Sequence, residues 1–425
     1  MEITLLLCLF IFLLLSGTPI AFSLGISSFA YLFAANIPLT VLAQRFYAGL
    51  DSFVLLCIPG FILAGNLMNA GNITGQIIRF SDALFGHIRG GLGLANVGGS
   101  MIFGGISGTA IADTTSIGAV MIPGMAQKGY EKPFAAAVTA ASSTIGPIIP
   151  PSVPMIIVGS MTGISVGKMF LAGAIPGLLL GVGMLLTTYI ISVQKGYPKG
   201  ESFSFKRLLQ EGRGTYWSLL MVIIILFGII GGVCTPTEAS IIACIYAFIV
   251  STFINKTLPI KKVPSIILDS AISAATLLVL VGMANVFAWI IASENIPDLL
   301  AKTIMGITDN PFWVILLINL LLLAVGSFME TIAAIIILFP ALLKVAESIN
   351  MDPVHFGVMG VLNLMIGLTT PPVGVCLFVA SEIAQTSLGS VVKALLPYLI
   401  CNIIILFVIA YFPQLSIWLP NLLSK

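Results

Sequence analysis

The residues best suited to chemistry in this chain are small polar residues that interrupt long apolar stretches. Ser107, Gly108 and Thr109 interrupt one stretch, and a hydroxyl run at 142–144 precedes Gly146 in the next. Hydroxyl and backbone carbonyl oxygens suit a hard cation such as sodium, and glycine lets the backbone approach it closely. Helix N-termini exposed at the same breaks carry unpaired amides and partial positive charge, which suit an anionic group. This segment therefore predicts a cation site beside an anion site.

The same kinds of residue recur in the second half of the chain, which predicts a second cation site by symmetry. Its members are Gly326, Ser327, Thr331, Gly367, Thr369 and Thr370. Lysine and arginine are absent from residues 90–127, so helix ends and hydroxyls must carry the first site.

Each predicted site contains a sequence that would break a helix. Residues 145–151 read IGPIIPP and residues 366–372 read IGLTTPP, 221 positions later. A broken helix in lipid leaves backbone groups unpaired, which is tolerated only against protein or a water-filled cavity. Paired breaks in matching positions of two halves are typical of the binding site of a membrane transporter.

The composition indicates an integral membrane protein. Hydrophobic residues make up 58% of the chain and charged residues only 8%, whereas soluble domains carry about 25% charged residues. The six cysteines and two histidines lack metal-type spacing. At about 20 residues per helix, the sequence predicts an all-α polytopic fold of about ten transmembrane helices. The predicted spans are 3–16, 19–36, 52–70, 133–160 (broken), 166–192, 215–233, 236–254, 264–292, 354–385 (broken) and 389–412.

Two further apolar stretches, 92–126 and 311–346, are interrupted at their centres and predict re-entrant helical hairpins. The basic connections at 193–214 and 256–262 are expected in the cytoplasm, which places the amino terminus outside. The same topology places Asp298 and Asp309 outside. The halves 1–214 and 215–425 then each hold five spans and one hairpin, in opposite orientations. The sequence thus predicts an inverted repeat.

Landmarks inside the hairpins align the two halves. Asp113 and Glu330 are 217 positions apart, as are Pro123 and Pro340, whereas the breaks are 221 apart. This difference predicts a four-residue insertion between hairpin and break. Ser327 and Glu330 fit a capping box, so Glu330 is either a helix cap or a functional group. Asp113 has no such cap, and a carboxylate inside the membrane is a functional candidate by default.

Other interpretations of these residues remain open. Glycine and serine in apolar helices also allow close helix packing, and the proline pairs also suit simple kinks or helix starts. The sequence GISG at 105–108 matches the G-x-S-G pattern of intramembrane serine proteases, with His355 as the potential base. That alternative requires Ser107 and His355 to lie within hydrogen-bond reach of each other.

Four motifs together resemble the large membrane subunit of tripartite ATP-independent periplasmic (TRAP) transporters. They are GGISGTAIAD at 104–113, GPIIPPS at 146–152, TPTEA at 235–239 and GLTTPPVG at 367–374. The resemblance implies uptake of an organic acid, of the sialic acid or C4-dicarboxylate class, coupled to sodium. It also implies a small membrane subunit of about four spans, a periplasmic substrate-binding protein, and location in the bacterial inner membrane.

The resemblance further implies an elevator-type transporter and no organic cofactor. The moving block would comprise 92–160 and 311–385, and the remaining spans would form the scaffold. A stand-alone sodium/dicarboxylate symporter of related architecture is the alternative.

Carried onto this chain, the resemblance assigns residues to three sites. The two sodium sites would use Ser107, Gly108, Thr109, Ser143, Thr144 and Gly146 in the first half, and Gly326, Ser327, Gly367 and Thr370 in the second. The substrate, with its carboxylate between the hairpin tips, would contact Ser107, Thr109, Asp113, Pro150, Ser327 and Thr369.

Overall fold

A computed structural model describes residues 2–423 except 201, 297–298, 300–301, 304–305, 307 and 309, and it leaves the side chains of residues 15 and 106 undescribed. Asp298 and Asp309, which the charge pattern places outside, thus lie outside the described residues. The described part contains 19 α-helices and no β-strand, which confirms the predicted all-α membrane fold.

The helices are numbered in chain order. The first half holds α1 (Glu2–Leu15), α2 (Ile20–Ala34), α3 (Thr40–Leu50), α4 (Cys57–Ala70), α5 (Ile73–Phe85), α6 (Gly91–Ser107), α7 (Ala110–Gln127), α8 (Lys132–Ser143), α9 (Val153–Thr162) and α10 (Val166–Gln194). The second holds α11 (Phe205–Ile230), α12 (Pro236–Ile249), α13 (Val263–Ser293), α14 (Pro311–Gly326), α15 (Thr331–Ser348), α16 (Pro353–Gly367), α17 (Val375–Ala384), α18 (Leu388–Tyr411) and α19 (Gln414–Leu423).

The number of long apolar helices is smaller than the predicted number of spans. Seven helical segments in the described residues are long and apolar enough to cross a membrane individually. Two of the predicted spans are divided, into α8 with α9 and α16 with α17, and these pieces are only 10–15 residues long. A helix rises about 1.5 Å per residue, so none of these pieces spans about 30 Å of hydrocarbon alone.

Three helices lie outside the predicted spans and hairpins. They are α3, α5 and α19, which have 10–13 residues each. α5 buries Ile73, Ile77 and Ile78 on one face while Arg79 and Asp82 are directed to ion pairs. A helix of this kind has one apolar face but no continuous apolar run, so a search for apolar runs of membrane-spanning length does not find it.

The second helix of each hairpin and the start of each broken helix repeat with the same spacing. α7 and α15 begin 221 positions apart (110 and 331) and end 221 apart (127 and 348), and α8 and α16 also begin 221 apart (132 and 353). The predicted four-residue insertion is therefore wrong. Asp113 is the fourth residue of α7, whereas Glu330 precedes the first residue of α15, so the residue equivalent to Asp113 is Ala334.

Each hairpin packs on the broken helix that follows it, and each also packs on the broken helix of the other half. α6 and α7 contact α8, and α14 and α15 contact α16. Across the repeat, α7 contacts α17, and α15 contacts α9. This exchange holds both hairpins and both breaks in one central unit, while α4 packs with α12 and α13 beside it.

Three ion pairs join residues of the segment 193–214 to α5 and to Glu131, which precedes α8. Arg207 Nη2 lies 2.6 Å from Asp82 Oδ2, Arg79 Nε lies 3.3 Å from Glu211 Oε2, and Lys195 pairs with Glu131. These contacts agree with the expectation that the connections share one side of the membrane.

Candidate functional site

The first hairpin meets the first break at two glycines. A Cβ atom on Gly146 would lie 3.0 Å from Gly104 Cα, and one on Gly104 would lie 3.0 Å from the Gly146 nitrogen. The absence of side chains at both positions thus allows the backbone of α6 to touch the unwound segment between α8 and α9. Through this contact the hairpin and the break form one structural unit.

The tip of the same hairpin lies against carbonyl oxygens of the break. Gly108 ends α6 in the left-handed conformation at φ +64°, and a Cβ there would lie 3.1 Å from the Pro151 carbonyl oxygen. The Pro150 carbonyl oxygen would lie 3.2 Å from a Cβ on Gly105. In this break the Pro150–Pro151 peptide bond is cis. Carbonyl oxygens of the break therefore face the first tip.

Asp113 fills the space behind this tip. Its side chain is fully buried, and its Oδ1 accepts a hydrogen bond from Ser107 Oγ. Its Oδ2 accepts no hydrogen bond and lies against Gly146, whose Cβ, if present, would be 3.2 Å from Asp113 Cγ. One carboxylate oxygen is thus committed to the tip and the other is unpartnered between tip and break.

The hydroxyls at the end of α8 all donate to carbonyls of their own helix. Ser143 Oγ donates to Ala140 at 2.8 Å and Thr144 Oγ1 donates to Ala141 at 2.7 Å. Ser143 Oγ also lies 2.8 Å from Thr114 Oγ1 of α7. A hydroxyl that has donated its only hydrogen keeps oxygen lone pairs as ligands, which fits a site for a hard cation.

The second hairpin and break repeat this arrangement. A Cβ on Gly367 would lie 2.5 Å from the Gly326 carbonyl carbon. The Ser327 carbonyl accepts the Gly374 N–H at 3.4 Å, and Thr370 Oγ1 donates to the Ile366 carbonyl at 2.8 Å. The Pro371–Pro372 bond is cis, as in the first half. Both halves thus bring a glycine of the hairpin onto a glycine of the break.

Other polar groups of this half also make local bonds. Ser327 Oγ donates to Ala324 at 2.7 Å, Thr369 Oγ1 donates to Ile366 at 2.9 Å, and Thr331 Oγ1 has no hydrogen-bond partner. The second site therefore has hydroxyl and carbonyl oxygens like the first, and it has no counterpart of the Asp113 carboxylate in its hairpin helix.

Glu330 caps α15 in a way that differs from the predicted capping box. Its Oε2 accepts the N–H groups of Ile332 at 2.8 Å and Ala333 at 3.2 Å, so Glu330 is itself the N-cap residue. Ser327 does not form a capping box with Glu330, because α15 begins at Thr331, after Glu330, and not directly after Ser327 as the motif implies. The N-cap residue of α7, Thr109, makes no such side-chain bond, so the first amides of α7 remain open.

A cavity of about 660 Å³ lies between the hairpin tips and the neighbouring helices α2, α4 and α13. Ser107 and Thr109 of the first tip and Glu330 of the second line it. No lysine or arginine is among its lining residues. Its other polar lining residues were not among the predicted site residues: Asn66, Asn69, Thr115, Ser116, Ser273 and Thr276.

The predicted substrate residues divide into two groups. Ser107 and Thr109 reach the cavity, whereas Asp113, Pro150, Ser327 and Thr369 are buried behind the tips and do not line it. The asparagines of α4 were missed because an isolated amide in an apolar helix carries no motif. The sequence does contain one indication of these residues: Asn66 and Asn69 are three positions apart and therefore lie on one face of the helix.

The protease geometry is not present. Ser107 Oγ bonds Asp113, while His355 is fully buried on α16 with Nε2 3.2 Å from the Ala410 carbonyl oxygen. The described residues also contain no group of three or more His, Cys, Asp and Glu side chains placed to hold a metal ion.

Comparison with known families gives a match over nearly the whole chain. The family described as "Tripartite ATP-independent periplasmic transporter, DctM component" matches residues 7–415.

Individual relatives agree with this match. The chain is 40% identical to the sialic acid TRAP transporter large permease protein SiaM of Vibrio cholerae, over 96% of each chain. It is 36% identical to the C4-dicarboxylate TRAP transporter large permease protein DctM of Rhodobacter capsulatus, over 98% of each. It is also 38% identical to the isethionate TRAP transporter permease protein DctMQ of Oleidesulfovibrio alaskensis, over 96% of this chain and 65% of that protein.

Among solved structures, the Alcanivorax borkumensis YdaH transporter has a similar fold. The TM-score is 0.63 over 90% of this chain and 88% of that chain, with 15% sequence identity. At this identity the similarity concerns the fold alone.

Proposed function

The chain belongs to the DctM component family of tripartite ATP-independent periplasmic transporters, and we propose that it is the large subunit of a sodium-coupled importer of a small organic acid. It is a multi-pass membrane permease of a bacterial TRAP system, which sets aside the serine protease alternative. The observation that carries the proposal is the repeated contact of hairpin and break, Gly104 on Gly146 and Gly326 on Gly367.

Two sodium ions would bind where each tip meets its break. The first would take oxygens from the tip at 107–109 and from Ser143, Thr144 and the segment at Gly146. The second would take oxygens from Ser327, Thr370 and the segments at Gly326 and Gly367. The local hydrogen bonds support this, because hydroxyls that donate to their own helix present only lone pairs to an ion.

The anionic group of the substrate would bind at the N-terminus of α7. Two observations favour this end over the N-terminus of α15. The cavity is lined by Thr109, Ile111 and Ala112 at the start of α7, whose N-cap makes no side-chain bond. At α15 the corresponding amides are already bonded to Glu330, whose carboxylate would repel an acid. Bound sodium ions would lower the electrostatic cost of bringing the acid to mid-membrane.

Transport would proceed by an elevator movement of the central unit. That unit contains both hairpins and both breaks, and the contacts of α7 with α17 and of α15 with α9 support its moving as one body. α10 packs on α6 and α8, and α18 packs on α8, which favours including both in the moving block. The cavity at the boundary with α4 and α13 would be the place where the substrate is released or captured.

The partners would be a small membrane subunit and a soluble periplasmic binding protein that delivers the acid. Support comes from family membership and from the isethionate relative DctMQ, of which this chain matches only 65%. The relatives are named for sialic acid, C4-dicarboxylates and isethionate, all of which are small organic anions. The proposed substrate class is therefore a small organic acid of this kind.

Uptake into proteoliposomes tests the proposal. The chain would be reconstituted alone, with the small subunit, and with the small subunit plus the binding protein, using radiolabelled sialic acid, succinate and isethionate. We expect uptake of at least one acid only in the complete system and only with an inward sodium gradient. Uptake by the chain alone would support the stand-alone symporter, and uptake that is equal with sodium and choline gradients would contradict sodium coupling.

A further inference from the structure

The two cation sites differ in charge. In the first half, Asp113 Oδ2 is buried, accepts no hydrogen bond and lies between the hairpin and the break. Among the described residues no ion pair involves Asp113. A buried carboxylate oxygen that accepts no hydrogen bond is unfavourable while the group is charged, so Oδ2 marks a position where a positive charge would be stabilising.

The second half lacks this oxygen. The residue equivalent to Asp113 in the 221-residue spacing of α7 and α15 is Ala334, which is fully buried in α15. Glu330 does not replace the missing carboxylate, because its Oε2 caps two amides of α15 and the residue lines the cavity. The second site is consequently formed by neutral oxygens.

We propose that Asp113 Oδ2 is a ligand of the first sodium ion, so that the first site is anionic and binds sodium more tightly than the neutral second site. Ser107 would hold the carboxylate in place through its bond to Oδ1. Gly146 would leave room for Oδ2 at the break. An added carboxylate ligand raises the affinity of an oxygen site for a hard cation. This inference rests on the proposed sodium coupling. It adds that the first site fills with sodium before the second.

Sodium-dependent thermal stability of the purified full chain tests this proposal. Sodium chloride would replace choline chloride at constant ionic strength, with unfolding followed by tryptophan fluorescence. Asp113→Asn keeps the acceptor for Ser107 and removes the charge. The effect of Asp113→Asn on sodium-dependent stability would be measured in two backgrounds. Thr370→Ala impairs the second site and leaves the first intact, and Ser107→Ala impairs the first site and leaves the second intact. Asp51→Asn, an exposed acidic position outside the hairpins, is the control.

We expect Asp113→Asn to raise the half-saturating sodium concentration about tenfold or more in the Thr370→Ala background. In the Ser107→Ala background the change should be less than about twofold. Asp51→Asn should match the unmodified chain. Equal half-saturation with and without the Asp113→Asn change in the Thr370→Ala background would overturn the ligand role while leaving sodium coupling intact.

Two further outcomes separate this inference from the proposed function. If the unmodified chain shows no stabilisation specific to sodium, sodium coupling itself is contradicted. If Asp113→Asn does not give a single gel-filtration peak, Ser107→Ala alone carries the test, because it removes the donor that fixes Asp113. Its half-saturating concentration should then rise by about threefold or more, and an unchanged value would overturn the proposal.

Discussion

The unpartnered oxygen of Asp113 occupies the space that a side chain at Gly146 would fill. Asp113 belongs to the hairpin helix α7 and Gly146 to the break after α8. A Cβ on Gly146 would meet both the Asp113 carboxylate and Gly104 Cα. The requirement for glycine at this position therefore comes from the contact between two elements and not from its own backbone angles, since its φ is not positive.

Gly146→Ala should destabilise the protein because the added methyl group enters a filled space. Overpacking of this kind costs about 1–3 kcal/mol. We expect a lower unfolding temperature and a loss of uptake, measured by fluorescence melting and by proteoliposome assay. Gly124→Ala in α7 is the matched control, since a Cβ there has no heavy atom within 4 Å. A Gly146→Ala chain as stable as the Gly124→Ala chain would contradict the observed packing.

Glu330→Ala should weaken the first turn of α15 and also impair transport. Loss of an N-cap side chain costs about 1 kcal/mol. Asp352→Ala is a matched control, because Asp352 caps α16 through the same pattern, with bonds of 2.8 and 3.2 Å to the Val354 and His355 amides. Both variants should melt earlier by similar amounts. Only Glu330→Ala should change the uptake rate by more than its loss of stability explains, because only Glu330 lines the cavity.

A cross-link between α4 and α7 should stop transport if the central unit moves. Asn69 Nδ2 lies 3.0 Å from Ser116 Oγ, so the two side chains face each other across this boundary, and cysteines at these positions can be tested with an oxidant. Uptake should fall on oxidation and return on reduction. The control pair is Asn66 with Ser270, which are joined at 2.8 Å but belong to α4 and α13 outside the moving block. Full uptake by an oxidised Asn69→Cys/Ser116→Cys chain would argue against an elevator movement across this boundary.

Thr370→Ala should weaken the sodium dependence of uptake through the second site. The hydroxyl donates to Ile366 and would offer its lone pairs to an ion, and loss of one such ligand would be worth about 1 kcal/mol. The sodium concentration at half-maximal uptake should rise by about threefold or more. The control is Thr187→Ala in α10, whose hydroxyl also bonds its own helix, at Gly183, but lies outside both breaks and does not line the cavity. An unchanged sodium curve for Thr370→Ala would count against the second site.

The sequence by itself determined the class of the protein and the position of the breaks. Apolar runs fix a membrane fold because charged side chains cannot be exposed to hydrocarbon, and the Gly and Pro-Pro patterns at 145–151 and 366–372 fix where helices must stop. Both effects are local, so they can be read along the chain.

Tertiary structure decided which residues meet, and the register of the repeat shows why. Aligning Asp113 with Glu330 implies a spacing of 217, whereas α7 and α15 repeat at 221. A shift of four residues is close to one helical turn of about 3.6 residues, so both registers keep the same apolar face and sequence periodicity does not separate them. Packing against the breaks selects the register of 221 residues, in which Asp113 lies behind the first tip and Glu330 caps α15 at the cavity.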